Sequence, residues 1–148
     1  MSSIQEKFIV ELILNQEKVI RFDAGVLGTD TPQNFRLKAE GGDTPLFWLE
    51  AVDMADVVFP VVDPYILCPE YLPEFSLQDL QAIELEDIKD LFILALVTMV
   101  NVKNEKMTVN LSAPLLINWK NNTGKQGVLL NYKQYPSNYP MSSMTKTL

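Results

Sequence analysis

The run LFILALVTMVN, Leu91–Asn101, places apolar residues at even and odd positions alike. A strand with water on one face alternates, so a run of this kind describes a strand covered on both faces at the centre of a sheet. A membrane-spanning helix needs roughly 20 apolar residues, and this run is far shorter. The chain must therefore supply enough β structure to wrap both sides of one strand. Its 148 residues suit a single domain, and a hydrophobic fraction of 47% is ample for a core.

The flanking sequence offers the strands. NFRLKAE (Asn34–Glu40) places Phe35, Leu37 and Ala39 on one face, with Arg36 and Lys38 opposite. PLFWLEAV (Pro45–Val52) follows after the turn signal GGDTP. FIVELILN (Phe8–Asn15) alternates imperfectly and reads as a strand, followed by KVIRF. VVFPVVDPYIL (Val57–Leu67) is β-branched, and Pro60 and Pro64 mark an edge, a bulge or a strand end. KMTVNLSAPLLIN and GVLLN complete the sheet. The helix signal lies in SLQDLQAI: Ser76 as N-cap, with Leu77, Leu80 and Ile83 on one face. The pattern predicts an all-β, mainly antiparallel fold, a small barrel or sandwich with one short helix around residues 77–83. A single domain covers residues 1–135, and residues 136–148 read as a weakly ordered tail.

Composition removes whole classes of chemistry. The chain has no histidine and one cysteine, Cys68. Zinc sites of the usual Cys/His kinds, a Ser-His-Asp triad and a Cys-His pair are excluded, as is an internal disulfide. No secretory signal opens the chain, so a cytoplasmic location is expected. The net charge is −7, unevenly spread. Residues 51–100 carry one lysine against ten acids, whereas residues 101–148 carry six lysines against Glu105. Such an acidic middle steers basic partners and repels nucleic acid.

Three motifs invite a chemical reading. NNTGKQG resembles a phosphate-binding loop, but Gln126 stands where the magnesium-binding hydroxyl belongs and Trp119 where the first glycine belongs. It reads as a hairpin turn. Asp53, Asp56, Asp63, Glu70 and Glu74 contain pairs of carboxylates, though no spacing marks a catalytic pair. ELEDIKD (Glu84–Asp90) reads as a solvated link. Phe47, Trp48, Tyr65, Tyr71 and Trp119 could stack nucleotide bases, but most lie in the acidic segment. No catalytic, cofactor or metal residue is expected.

Three blocks together resemble the FliW family of flagellar assembly factors, from about Arg21 to Pro140. They are RFDAGVLGTDTPQNFRL, PLFWLEAVDMADVVFPVVDPYILCPEY and VNLSAPLLINWKNNTGKQGVLLN. The first block departs at Val26 and Thr29, where the family has leucine and an aromatic, and the tail lacks the family's histidine. The resemblance implies a non-catalytic barrel that binds flagellin and the RNA-binding regulator CsrA, relieving repression of flagellin mRNA. No direct contact with nucleic acid or membrane is implied. Asp56, Asp63, Glu70 and Glu74 are expected on or near the CsrA-facing surface, chosen for their density beside the proline-broken edge. The alternative is a nucleic-acid-binding barrel using the lysines of residues 103–133.

Overall fold

The computed structural model describes residues 4–15, 18–28, 33–39, 45–101 and 106–141. Helix α1 (Glu6–Leu14) comes first, then β1 (Val19–Phe22), β2 (Asn34–Ala39), β3 (Phe47–Ala51) and β4 (Val58–Val62). Short helices α2 (Pro64–Leu67) and α3 (Leu77–Ala82) precede the long strand β5 (Leu91–Asn101). The chain ends with β6 (Lys106–Val109), β7 (Leu115–Asn118), β8 (Thr123–Gln126) and β9 (Tyr139–Pro140). Pairings run β4-β3-β2-β1-β8-β7-β5, and β5 returns to β4 through Val61↔Leu96 and Val62↔Ala95. Seven strands thus close a barrel, as the all-β reading expects. Among the described residues every pair is antiparallel except β1–β8.

The apolar run at Leu91 does what its pattern demands. Phe92, Leu94 and Leu96 point into the barrel core with Phe22, Phe35 and Leu115. Ala95 and Val97 face a second core around Tyr71, Leu111 and Met141, while Leu91 and Ile93 face a third with Ile83. Alternate side chains of one strand therefore serve opposite sides. Beyond Val97, β6 continues along β5 with a register shift between Met99 and Asn101.

At the single parallel junction Phe22 lies opposite Gly124. A Cβ on Gly124 would sit 2.6 Å from the Phe22 ring, so only glycine lets that ring lie flat there.

Four sequence expectations are corrected. Phe8–Asn15 is largely helix rather than strand. Its apolar residues suit either period, and tertiary contacts decide. Phe8 and Leu12, one helical turn apart, are the buried pair, and Phe8 packs 5.1 Å from Phe92 and 5.5 Å from Trp119 between ring centroids. Tyr65 to Leu67 belong to α2, because Pro64 takes the first helical position and Asp63 caps it. The hairpin lies where expected, but its turn is Trp119–Asn122, with Asn122 at φ 60; Thr123–Gln126 is strand and Gly127 onward is irregular. Lastly, residues 136–141 of the expected loose tail are docked as far as Met141, whereas residues 142–148 lie outside the described residues. Tyr139 and Pro140 pair with β6, and Met141 is buried, because the second core needs them as a wall. GGDTP falls mainly outside the described residues.

The helix at Ser76 is present, its hydroxyl accepting from the Asp79 N–H at 3.1 Å. Ile83 is buried and Leu80 half-buried, whereas Leu77 is exposed.

Candidate partner-binding surface

The four acids expected to face a partner divide into one structural residue and three surface residues. Asp63 is fully buried. Its Oδ1 accepts from Tyr65 N (3.0 Å) as the cap of α2, and from Gln5 Nε2 (2.9 Å). A carboxylate held this way cannot reach a partner, so Asp63 leaves the expected surface; the sequence shows an Asp-Pro step but not that the cap lies beneath α1. Asp56 is exposed at the β3–β4 turn, in the left-handed region at φ 70, which aspartate tolerates. Glu70 and Glu74 are exposed beyond α2. The edge expected beside them is short. β4 pairs with β3 throughout Val58–Val61 and with β5 at Val61 and Val62.

Segment 69–75 owes its shape to tyrosine and asparagine. Tyr71 is buried, and its hydroxyl donates to Leu111 O at 2.5 Å. Its ring meets Tyr65 and Tyr135 edge-on, at 5.5 and 4.7 Å. Burial pushes the Tyr71 hydroxyl well above the usual phenol range, and burial first, then Asp63, pushes Tyr65 up to about 12. Burial and the neighbouring Glu70 also raise the Cys68 thiol, as befits an inert buried cysteine. Asn131 works like a piece of neighbouring strand: its Nδ2 donates to Leu72 O (2.9 Å) and its Oδ1 accepts from Glu74 N (2.9 Å).

This segment forms one bank of an open groove of about 700 Å³. Tyr65, Phe75, Leu91 and Ile93 contribute to its lining. Leu72 and Glu74 stand on one side; Ile4 comes from the approach to α1, Lys7 from its first turn, and Ile88 and Lys89 from the turn before β5. Leu72 is 74% exposed, Ile88 65% and Ile4 75%. Gln5 pins the helix side, exchanging two 2.6 Å hydrogen bonds with the Ile93 backbone. Sequence reasoning missed this groove. Its sides are far apart in the chain, and reading Phe8–Asn15 as a strand removed the helix that builds one of them.

The stacking platform does not form. Phe47 and Trp119 are buried in the barrel core, and Tyr71 in the second core. Of the later lysines, Lys125 pairs with Asp79 at 2.7 Å and Lys120 approaches Glu86 at 3.9 Å, Lys106 and Lys133 are exposed, and Lys103 lies outside the described residues. Glu84, Glu86 and Asp87 are exposed, as a solvated link requires, and the Lys89 N–H beside Asp87 holds that carboxyl below its usual range. Among the described residues no group of His, Cys, Asp and Glu could hold a metal ion, and no helix is long and apolar enough to cross a membrane.

Comparison with known proteins agrees with this architecture. The family model described as FliW protein matches residues 3–141. A flagellar assembly factor FliW from Thermoanaerobacter pseudethanolicus is 41% identical over 118 residues, covering 79% of this chain and 78% of the relative. One from Alkaliphilus metalliredigens is 33% identical over 145 residues, covering 97% and 88%. A crystal structure of the flagellar assembly factor FliW superposes with a TM-score of 0.73 at 25% identity, covering 85% of this chain and 86% of that one. With its barrel and nearly its whole length matched, this chain belongs to the FliW family.

Proposed function

We propose that this protein is a cytoplasmic flagellar assembly factor that works by holding other polypeptides: flagellin, and a CsrA-type regulator whose repression of flagellin mRNA it relieves. The observation that carries this reading is the family match along residues 3–141, with relatives named flagellar assembly factor FliW. The surface is compatible. Asp56, Glu70 and Glu74 are exposed acids in the most acidic third of the chain, suited to a regulator that must itself be basic to bind RNA. They are the proposed CsrA-facing groups; Asp63 acts only by shaping the segment that carries Glu70.

Titration calorimetry with purified flagellin and purified CsrA from the same organism tests the reading. Each is expected to bind, and each to displace the other. Changing Asp56, Glu70 and Glu74 together to lysine should slow association with CsrA and flatten its salt dependence. Unchanged binding at low salt would discard this placement. Direct, salt-sensitive binding of RNA by the protein alone would favour the nucleic-acid alternative.

A further inference from the structure

The groove beside α1 combines three properties that constrain what fits it. Its lips carry Leu72, Ile88 and Ile4, each largely exposed. Aliphatic side chains gathered at the rim of an apolar trough mark a contact surface rather than scattered surface residues.

The second property concerns the backbone. An extended peptide binds a protein edge by borrowing free N–H and C=O groups. Here the principal ones are taken. Leu72 N donates to the Tyr135 hydroxyl (2.8 Å), and Leu72 O accepts from Asn131. Glu74 N donates to Asn131, and Glu74 O accepts from Leu130 N (2.7 Å). On the opposite side Lys89 N donates to Asp87 Oδ1 and Lys89 O accepts from Lys7 Nζ, both at 3.0 Å. Pro69 and Pro73 have no N–H to offer. An extended occupant thus finds no free backbone partner at Leu72, Glu74 or Lys89, whereas a helix satisfies its own backbone.

The third is size and charge. A helix about 10 Å across, half sunk, displaces about 40 Å² of cross-section, so this groove takes about 18 Å of it, or about three turns. Lys7 and Lys89 line one side, Lys89 also pairing with the exposed Asp87 at 3.5 Å, and Glu74, which makes no ion pair among the described residues, stands on the other. We infer that the groove between α1 and segment 69–75 binds an amphipathic α-helix of a partner polypeptide, its apolar stripe inward and an acidic flank toward Lys7 and Lys89. This rests on the polypeptide-binding reading above and adds the form of the bound segment.

The test uses the full chain and a fluorescent synthetic peptide of about 14 residues, with leucines at helical spacing, glutamates on one flank and lysines on the other. Two controls accompany it: a scrambled peptide and one broken by a central proline. Anisotropy should show the helical peptide binding at least about tenfold more tightly than either control. Ile88→Glu and Leu72→Glu, both at exposed positions, should each weaken it about tenfold while leaving the melting temperature unchanged. Lys7→Glu with Lys89→Glu should weaken it several-fold at low salt and little at high salt. Equal binding by the proline-broken peptide, no binding, or indifference to Ile88→Glu and Leu72→Glu would overturn the inference. Self-association that Ile88→Glu abolishes would also overturn it, in favour of a second copy. Flagellin and CsrA binding, measured on the same variants, separates the two proposals. Loss of peptide binding to the unaltered chain with both partners still bound refutes only the groove; peptide binding with neither partner bound refutes only the proposed function.

Discussion

The two sides of β5 are built on different principles. Toward the barrel, Phe92, Leu94 and Leu96 meet a core of aliphatic and phenylalanine side chains contributed by paired strands. Phe22 stands edge-on to Phe35, and Phe8 and Trp119 close over Phe92. Away from the barrel, Ala95 and Val97 meet irregular chain carrying Tyr71, Leu111, Leu129 and Met141. That side has few ladder bonds to hold it. Side chains supply them instead: the Tyr71 hydroxyl to Leu111 O, the Tyr135 hydroxyl to Leu72 N, and Asn131 to Leu72 and Glu74. Asn110 does the same within its own loop, its Oδ1 accepting from Ser112 and Ala113 N–H. The barrel side is a packing problem; the outer side is a hydrogen-bonding problem, and it is the outer side that presents the groove and two of the exposed acids, Glu70 and Glu74.

Substitutions on the two sides should separate these principles. Phe92→Ala opens a cavity in the middle of the aromatic stack and should cost about 3–5 kcal/mol in urea unfolding. Gly124→Val forces the Phe22 ring from its place and should cost about 1–3 kcal/mol by the same measurement. On the outer side, Tyr71→Phe keeps the ring but leaves Leu111 O without its donor, for about 1–3 kcal/mol. Hydrogen exchange should place that loss in residues 69–75 and 110–114, leaving the barrel strands protected. If barrel and outer side instead lose protection together, they are one cooperative unit and the comparison fails.

Alkaline pH probes the buried tyrosines of the outer side. The native pKa of Tyr65 is raised above the unfolded value of 10.0 to about 12, and that of Tyr71 is raised too. The native state thus keeps these protons longer. Stability from the tyrosines is complete below pH 10 and declines as pH rises through the native values. Unfolding midpoints between pH 9 and 12 should fall, and Tyr65→Phe should reduce the fall. Smallest of all, Ser76→Ala removes the cap of α3 and should cost about 1 kcal/mol, with no effect on the barrel.

The barrel side was the more legible because ladder periodicity is written locally. Phe35 and Leu37, two residues apart, do face the core together, and the β5 run showed that it would be covered twice. The outer side was legible only in fragments. Asp63 beside Pro64 suggested a strand end, but nothing near it in sequence shows that Gln5 would arrive to cover its carboxylate. The docking of Pro136–Met141 was also hidden, since that segment is polar and proline-rich and gains order by filling the wall beside β6. On the candidate surface, the exposed acids Asp56, Glu70 and Glu74 were singled out by their density in the sequence, while Ile88, Leu72 and the α1 bank came only from the folded chain.

By itself, the sequence determined that this protein is a strand-built shell without histidine chemistry, because alternation and composition act residue by residue. Only the tertiary structure decided that Phe8–Leu14 is a helix, that one acid of four is buried and that a groove lies beside them. Each of those outcomes depends on contacts between segments dozens of residues apart, and a sequence that fits two local conformations equally well leaves the choice to whichever neighbour buries it.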